Sequence, residues 1–76
     1  MQSRAYVLIE AEAGQVGPIL ERLRSVAGIA RADAVTGPYD VIATLETDES
    51  REIGRLGMNE SHGVAGIKRT VTCLAI

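Results

Sequence analysis

The sequence predicts an α+β fold of βαββαβ order, a ferredoxin-like plait in which two helices lie on one face of a four-stranded antiparallel sheet. Three observations carry this expectation. The chain has 76 residues, which is room for one domain. Four short segments rich in apolar and β-branched residues alternate with two stretches of helical spacing. The connections are short, and right-handed crossovers are strongly preferred, which leaves few other topologies.

Ala5-Tyr6-Val7-Leu8-Ile9-Glu10 reads as the first strand. Its unbroken apolar stretch suggests that both of its faces are covered. Gly14 then marks a turn. From Gln15 to Val26, apolar residues at 16, 19, 20, 23 and 26 follow a helical repeat. Pro18 stands near the start, where a missing amide costs nothing. Arg22 and Arg24 stand near the end, where positive charge suits the helix dipole. Gly28 is the expected helix stop. Ile29 to Thr36 reads as a second strand, weakened by its alanines. Gly37-Pro38-Tyr39-Asp40 is a turn by composition, and Val41 to Glu46 is a third strand, in a hairpin with the second.

Asp48 to about Ser61 reads as a second helix, with Thr47 or Asp48 as the N-cap and Glu49 and Glu52 in its first turn. Gly54 and Gly57 each cost about 1 kcal/mol relative to alanine in a helix interior. Because Ile53 and Leu56 still mark an apolar side, the glycines suggest close backbone packing. Ile67 to Ala75 reads as the fourth strand. The two halves form a rough strand–helix–strand repeat within a single domain spanning residues 1–76.

Size also constrains how the fold is held. A chain this short has a thin core and usually needs disulfides, a metal or a partner subunit. One cysteine, Cys73, makes no intramolecular disulfide, and with one histidine it makes no four-ligand zinc site. Oligomerisation is the remaining staple. In the first strand Ala5, Val7 and Ile9 point one way and Tyr6, Leu8 and Glu10 the other. In the third, Val41, Ala43 and Leu45 alternate with Ile42 and Thr44. Two helices cover one sheet face only, so the second face predicts dimerisation by sheet-to-sheet packing.

The net charge of −2, from eight basic and ten acidic residues, does not suggest direct binding to nucleic acid. Two tyrosines make no platform for stacking bases. There is no apolar run long enough to cross a membrane and no signal pattern, so a cytoplasmic protein is expected. His62 follows Ser61, but no cysteine or serine stands beside it in a recognisable nucleophile motif, and no phosphate-cradling glycine loop is present. No cofactor and no catalysis are expected. Cys73 reads as a small core or interface residue. Lys68 and Arg69 read as a solvated strand edge, and Glu46-Thr47-Asp48-Glu49 as helix capping.

The segments VTGPYDV (35–41), AGIKRTVT (65–72), AGIA (27–30) and the opening AYVLIEAEAG (5–14) together resemble the RAM domain, the amino-acid-sensing domain of the Lrp/AsnC family of bacterial and archaeal regulators. That family shows a V-T-G-x-Y-D-hydrophobic turn between strands two and three and a P-G-V-x-x-T-x-T run into strand four. The resemblance covers essentially the whole chain. It implies dimers paired through their sheets, assembly of dimers into rings that are commonly octameric, and small effectors, usually amino acids, bound near the glycine turn. Carried over by position, the ligand-binding candidates are Thr36, Gly37, Tyr39 and Asp40 on the turn and Thr70 and Thr72 on the fourth strand. Full family members carry an N-terminal helix-turn-helix. This chain begins at the first RAM strand, so a stand-alone form, acting with full-length regulators, is expected.

The residue chemistry suits an amino-acid ligand. Asp40 can pair with an ammonium group, and Gly37 exposes backbone to a carboxylate. Thr70 and Thr72 offer hydroxyls on one sheet face. Tyr39 can form an apolar wall or an intersubunit contact. The plainer reading is that Gly-Pro-Tyr-Asp is only a good turn, that Asp40 caps local amides, and that the threonines are ordinary strand residues. Two alternatives from other classes stand beside the sensor: a small plait-fold enzyme, and an ACT-type or purely structural oligomerisation domain.

Overall fold

A computed structural model describes residues 3–47 and 65–76. Its elements are β1 (Ser3–Ala11), α1 (Val16–Arg24), β2 (Ile29–Ala34), β3 (Val41–Thr47) and β4 (Ile67–Leu74). The strands form one antiparallel sheet in the order β2-β3-β1-β4. That is the strand order of a ferredoxin-like plait, with β1 and β3 central and the hairpin strand β2 on one edge. The second helix expected over 48–61, with Glu49, Glu52, Gly54 and Gly57, and His62 after it, lies outside the described residues.

The period-2 pattern of β1 sorts its side chains between two layers. Ala5, Val7 and Ile9 are buried, while Tyr6, Leu8 and Glu10 on the opposite face are half-buried. The same division runs through β3, where Val41, Ala43 and Leu45 are buried. Helix α1 lies over β2 and β3 and inserts Ile19 and Leu23 into this layer. Its apolar residues recur one turn apart, so Val16, Leu20 and Ile19 with Leu23 form one stripe. Beneath it, Ala32 pairs with Ala43, and these two small side chains on adjacent strands let the helix approach the sheet. Burying a side chain the size of Leu23 stabilises the fold by roughly 1.5–3 kcal/mol.

Helix α1 ends earlier than its periodicity predicts. Ser25 caps it, donating its N–H to the Arg22 carbonyl at 3.2 Å and its Oγ–H to the same oxygen at 2.7 Å. The Val26 N–H then bonds the Leu23 carbonyl at 3.1 Å, and the Ile29 N–H the Val26 carbonyl at 3.3 Å. Gly28, with φ of 95°, therefore turns the chain into β2 and is not the residue that stops the helix. Strand β2 likewise stops at Ala34, two residues short of the expected Thr36, because the Val35 N–H closes the following loop. No described helix is long and apolar enough to cross a membrane.

Candidate ligand site and sheet interface

Val35 to Asp40 forms a closed hairpin loop. The Val35 N–H donates to the Asp40 carbonyl at 2.9 Å, leaving Thr36, Gly37, Pro38 and Tyr39 as its tip. Gly37 has φ of 138°, a conformation that disfavours side chains bearing a Cβ. Asp40 ties the loop to β1 twice. Its N–H donates to the Ile9 carbonyl at 2.9 Å, and its Oδ2 accepts the Ala11 N–H at 2.8 Å. The β1–β4 ladder shifts register between Glu10 and Ala11, and the carboxylate satisfies an amide at that irregularity.

The third motif segment arrives at the same end of the sheet. The Glu12 N–H donates to the Gly66 carbonyl at 2.7 Å. Gly66 has φ of 91°, and a Cβ built there would lie 2.8 Å from Cβ of Gln15. Both backbone conformation and close approach thus require glycine at this position. The loop 35–40, residues 9–12 and the turn into β4 are joined into one corner by three short bonds.

Side chains bridge the same corner. The Arg69 guanidinium lies 5.8 Å from the Tyr39 ring centroid, within cation–π range. Glu10, directly opposite Arg69 in the ladder, stands 3.6 Å from it and 3.8 Å from Lys68. Lys68 and Arg69 are therefore more than the solvated edge their sequence suggests. Arg69 joins the glycine loop to β4 across β1. Strand alternation puts Arg69 and Glu10 on the open face and Thr70 and Thr72 on the helix-bearing face, level with Ile9 and Val7. The six candidate ligand residues thus divide into two sets. Thr36, Gly37, Tyr39 and Asp40 share the loop, and the two threonines stand on β4 on the face away from Arg69. Glu10, Ala11 and Arg69 complete the corner. Their involvement depends on strand register, which no motif announces.

The open face is arranged in rows. Asp33, Ile42, Leu8 and Val71 lie side by side across the four strands, and Arg31, Thr44, Tyr6 and Cys73 form the next row. Ile42, Leu8 and Val71 give this face an apolar centre. Ion pairs surround it: Arg31 with Asp33 at 3.0 Å, Arg4 with Glu46 at 3.4 Å, and Glu10 with Lys68 and Arg69. The Arg4 guanidinium is held above its ordinary pKa first by its bond to Tyr6 and then by the charge of Glu46. Cys73 is exposed on this face, so it is not a core residue.

No family model matches the chain, and no curated protein is similar to it. Solved structures do share its architecture. The protein FFRP-DM1 is 27% identical and superposes with a TM-score of 0.89, over 97% of this chain and 99% of its own. AsnC of E. coli is 17% identical with a TM-score of 0.87, over 97% of this chain and 50% of AsnC. The transcriptional regulator NMB0573 of Neisseria meningitidis, solved as an L-Met complex, is 10% identical with a TM-score of 0.82, over 97% of this chain and 49% of the regulator. The chain therefore spans nearly all of one neighbour and about half of each regulator. In fold and in extent, this chain is a ferredoxin-like plait similar to the whole of FFRP-DM1 and to about half of AsnC and of NMB0573.

Proposed function

We propose that the chain acts by binding and not by catalysis, as an amino-acid-sensing and oligomerisation module in Lrp/AsnC-type transcription regulation in the cytoplasm. The observation that carries this reading is the open sheet face, with its apolar row Ile42–Leu8–Val71 inside a rim of ion pairs. An apolar centre with a polar rim is the usual anatomy of a protein interface. A second copy of the chain is its proposed occupant, and such dimers would assemble further, to octameric rings in the fullest form. The effector would sit at the glycine loop, near Thr36, Gly37, Tyr39 and Asp40. The L-Met complex of NMB0573 supports an amino acid as its class.

The mechanism would be linkage. A ligand that binds one assembly state better shifts the equilibrium toward that state, by no more than its differential affinity. Contact with full-length regulators through the same sheet face would pass the shift to DNA without direct binding of nucleic acid by this chain.

One observation favours a second reading, a structural oligomerisation module without an effector. Asp40, the proposed ammonium partner, already commits one carboxylate oxygen to the Ala11 N–H. Thermal unfolding against the twenty amino acids and a few keto acids, with light scattering on the same samples, separates the two. A ligand at 100 times its Kd adds about 2.7 kcal/mol to the folded state. A shift in stability or mass with one or a few amino acids supports the sensor. A panel without any effect leaves the structural module.

A further inference from the structure

The two edges of the sheet are treated differently. On β2, the outward carbonyl of Ala32 is taken by Arg24, whose Nη2 donates to it at 3.0 Å. The strand is short, its ladder is irregular between Ile29 and Arg31, and it carries Arg31 and Asp33. These features block strand addition. On β4, the bond from the Ala75 N–H to the Arg4 carbonyl at 2.9 Å fixes which groups point where. Residues 69, 71, 73 and 75 turn their backbone toward β1. Thr70, Thr72 and Leu74 turn theirs outward. Among the described residues these outward groups have no backbone partner. The segment Thr70-Val71-Thr72-Cys73-Leu74-Ala75 has no charge, proline or glycine, and Leu74 is 64% exposed. Cations occur only at its start, at Lys68 and Arg69.

We propose that the outer edge of β4 is a self-pairing interface, taking β4 of a second copy antiparallel about Thr72 to make one continuous eight-stranded sheet. In that register Thr72 meets Thr72 of the second copy and Thr70 meets its Leu74, each as a hydrogen-bonded pair. No charge faces a like charge, because the two Lys68–Arg69 pairs lie at opposite ends of the ribbon. A second β4 fits better than β2, since pairing of unlike edges does not close and would build open filaments. This edge is distinct from the open face, so it gives dimers made through that face a route to larger assemblies.

Cross-linking on the helix-bearing side tests the register, because a dimer made through the open face cannot bring those positions together. In a Cys73→Ser background, Thr72→Cys puts two thiols at a hydrogen-bonded pair with Cα atoms about 5.5 Å apart, within disulfide reach. Leu74→Cys puts them four residues out of register, about 14 Å apart and beyond reach. Under mild oxidation with oxidised glutathione, the first variant should run as a covalent dimer on a non-reducing gel and the second as monomer. The same result is expected after Leu8→Glu has disrupted the open face, which separates this interface from that one. No dimer with Thr72→Cys, or equal dimer with both, overturns the proposal. Thr72→Pro gives a second reading, since it removes an outward N–H and no bond to β1. Its assembly should lose one association step by analytical ultracentrifugation, and an unchanged mass would also overturn the proposal.

Discussion

The Asp40 side chain holds the glycine loop to β1 through one bond, its Oδ2 accepting the Ala11 N–H at 2.8 Å in a part-buried setting, beside the backbone bond from the Asp40 N–H to the Ile9 carbonyl. Removing the acceptor leaves that amide without its partner, at a cost of about 1–3 kcal/mol. Asp40→Ala should therefore lower stability by that amount in urea unfolding, whether or not a ligand binds. Asp40→Asn keeps an oxygen for Ala11 and should recover most of the loss. The Asn variant thus isolates the charge. If the carboxylate pairs with an effector ammonium, Asn restores the fold but not the ligand-induced shift in melting temperature. An equal shift in wild type and Asn would remove the carboxylate from recognition.

Gly66 is held tightly on two counts. Its φ of 91° costs an L-residue roughly 1–2 kcal/mol, and the added Cβ would stand 2.8 Å from Gln15. Gly66→Ala should destabilise by about 2 kcal/mol or more, through these two separable causes. Gln15→Gly removes the crowded Cβ, so the double variant should be less destabilised than the sum of the single ones. Strict additivity in chemical unfolding would show that backbone strain alone accounts for the effect.

Alternation in β1 and β3 makes the two-layer division legible before any coordinates. Tyr6, Leu8 and Ile42 are too apolar for an ordinary solvent face, and the structure puts them there as neighbours. The helical repeat of α1 is equally plain, though its end is not. Ser25, which ends it by bonding Arg22, looks no different from any polar residue in the last turn. The loop 36–40 announces itself through Gly37 and Pro38. The corner around it does not, because it depends on register. Alternation along β4 already separates Arg69 from Thr70, but nothing in AGIKRTVT says that Arg69 stands opposite Glu10 or which of the two faces the helix; the register with β1 decides it. That is why the two threonines, legible as a motif, fall on the face away from the residues that complete the corner.

Leu8 and Leu23 are similar side chains in different layers, so their substitution should separate folding from association. Leu23 is fully buried between α1 and the sheet. Leu23→Ala should cost about 2–5 kcal/mol, read in chemical unfolding at a concentration where the assembly state is fixed. Leu8 sits at the centre of the open face between Ile42 and Val71. Leu8→Glu should reduce mass in light scattering while far-ultraviolet circular dichroism keeps the native signal. A Leu8→Glu variant of unchanged mass would mean that the open face is not the site of association.

Arg69 interacts with Tyr39 and Glu10 at once, and the two contacts should respond differently to salt. The Glu10 pair is exposed and long, at 3.6 Å, so its contribution is small and screened. The contact with Tyr39, at 5.8 Å from the ring centroid, combines attraction to the ring face with packing of the planar guanidinium, for about 0.5–1 kcal/mol at an exposed site. Two double-mutant cycles, Arg69→Ala with Tyr39→Ala and Arg69→Ala with Glu10→Ala, measure them apart. Raising the salt concentration should remove most of the coupling to Glu10 and leave most of the coupling to Tyr39. Arg69→Lys should keep the first and weaken the second, since an ammonium lacks the flat surface that covers the ring. If both couplings vanish together with salt, Arg69 attaches the loop to β4 by charge alone, and the orientation of Tyr39 at the corner does not depend on it.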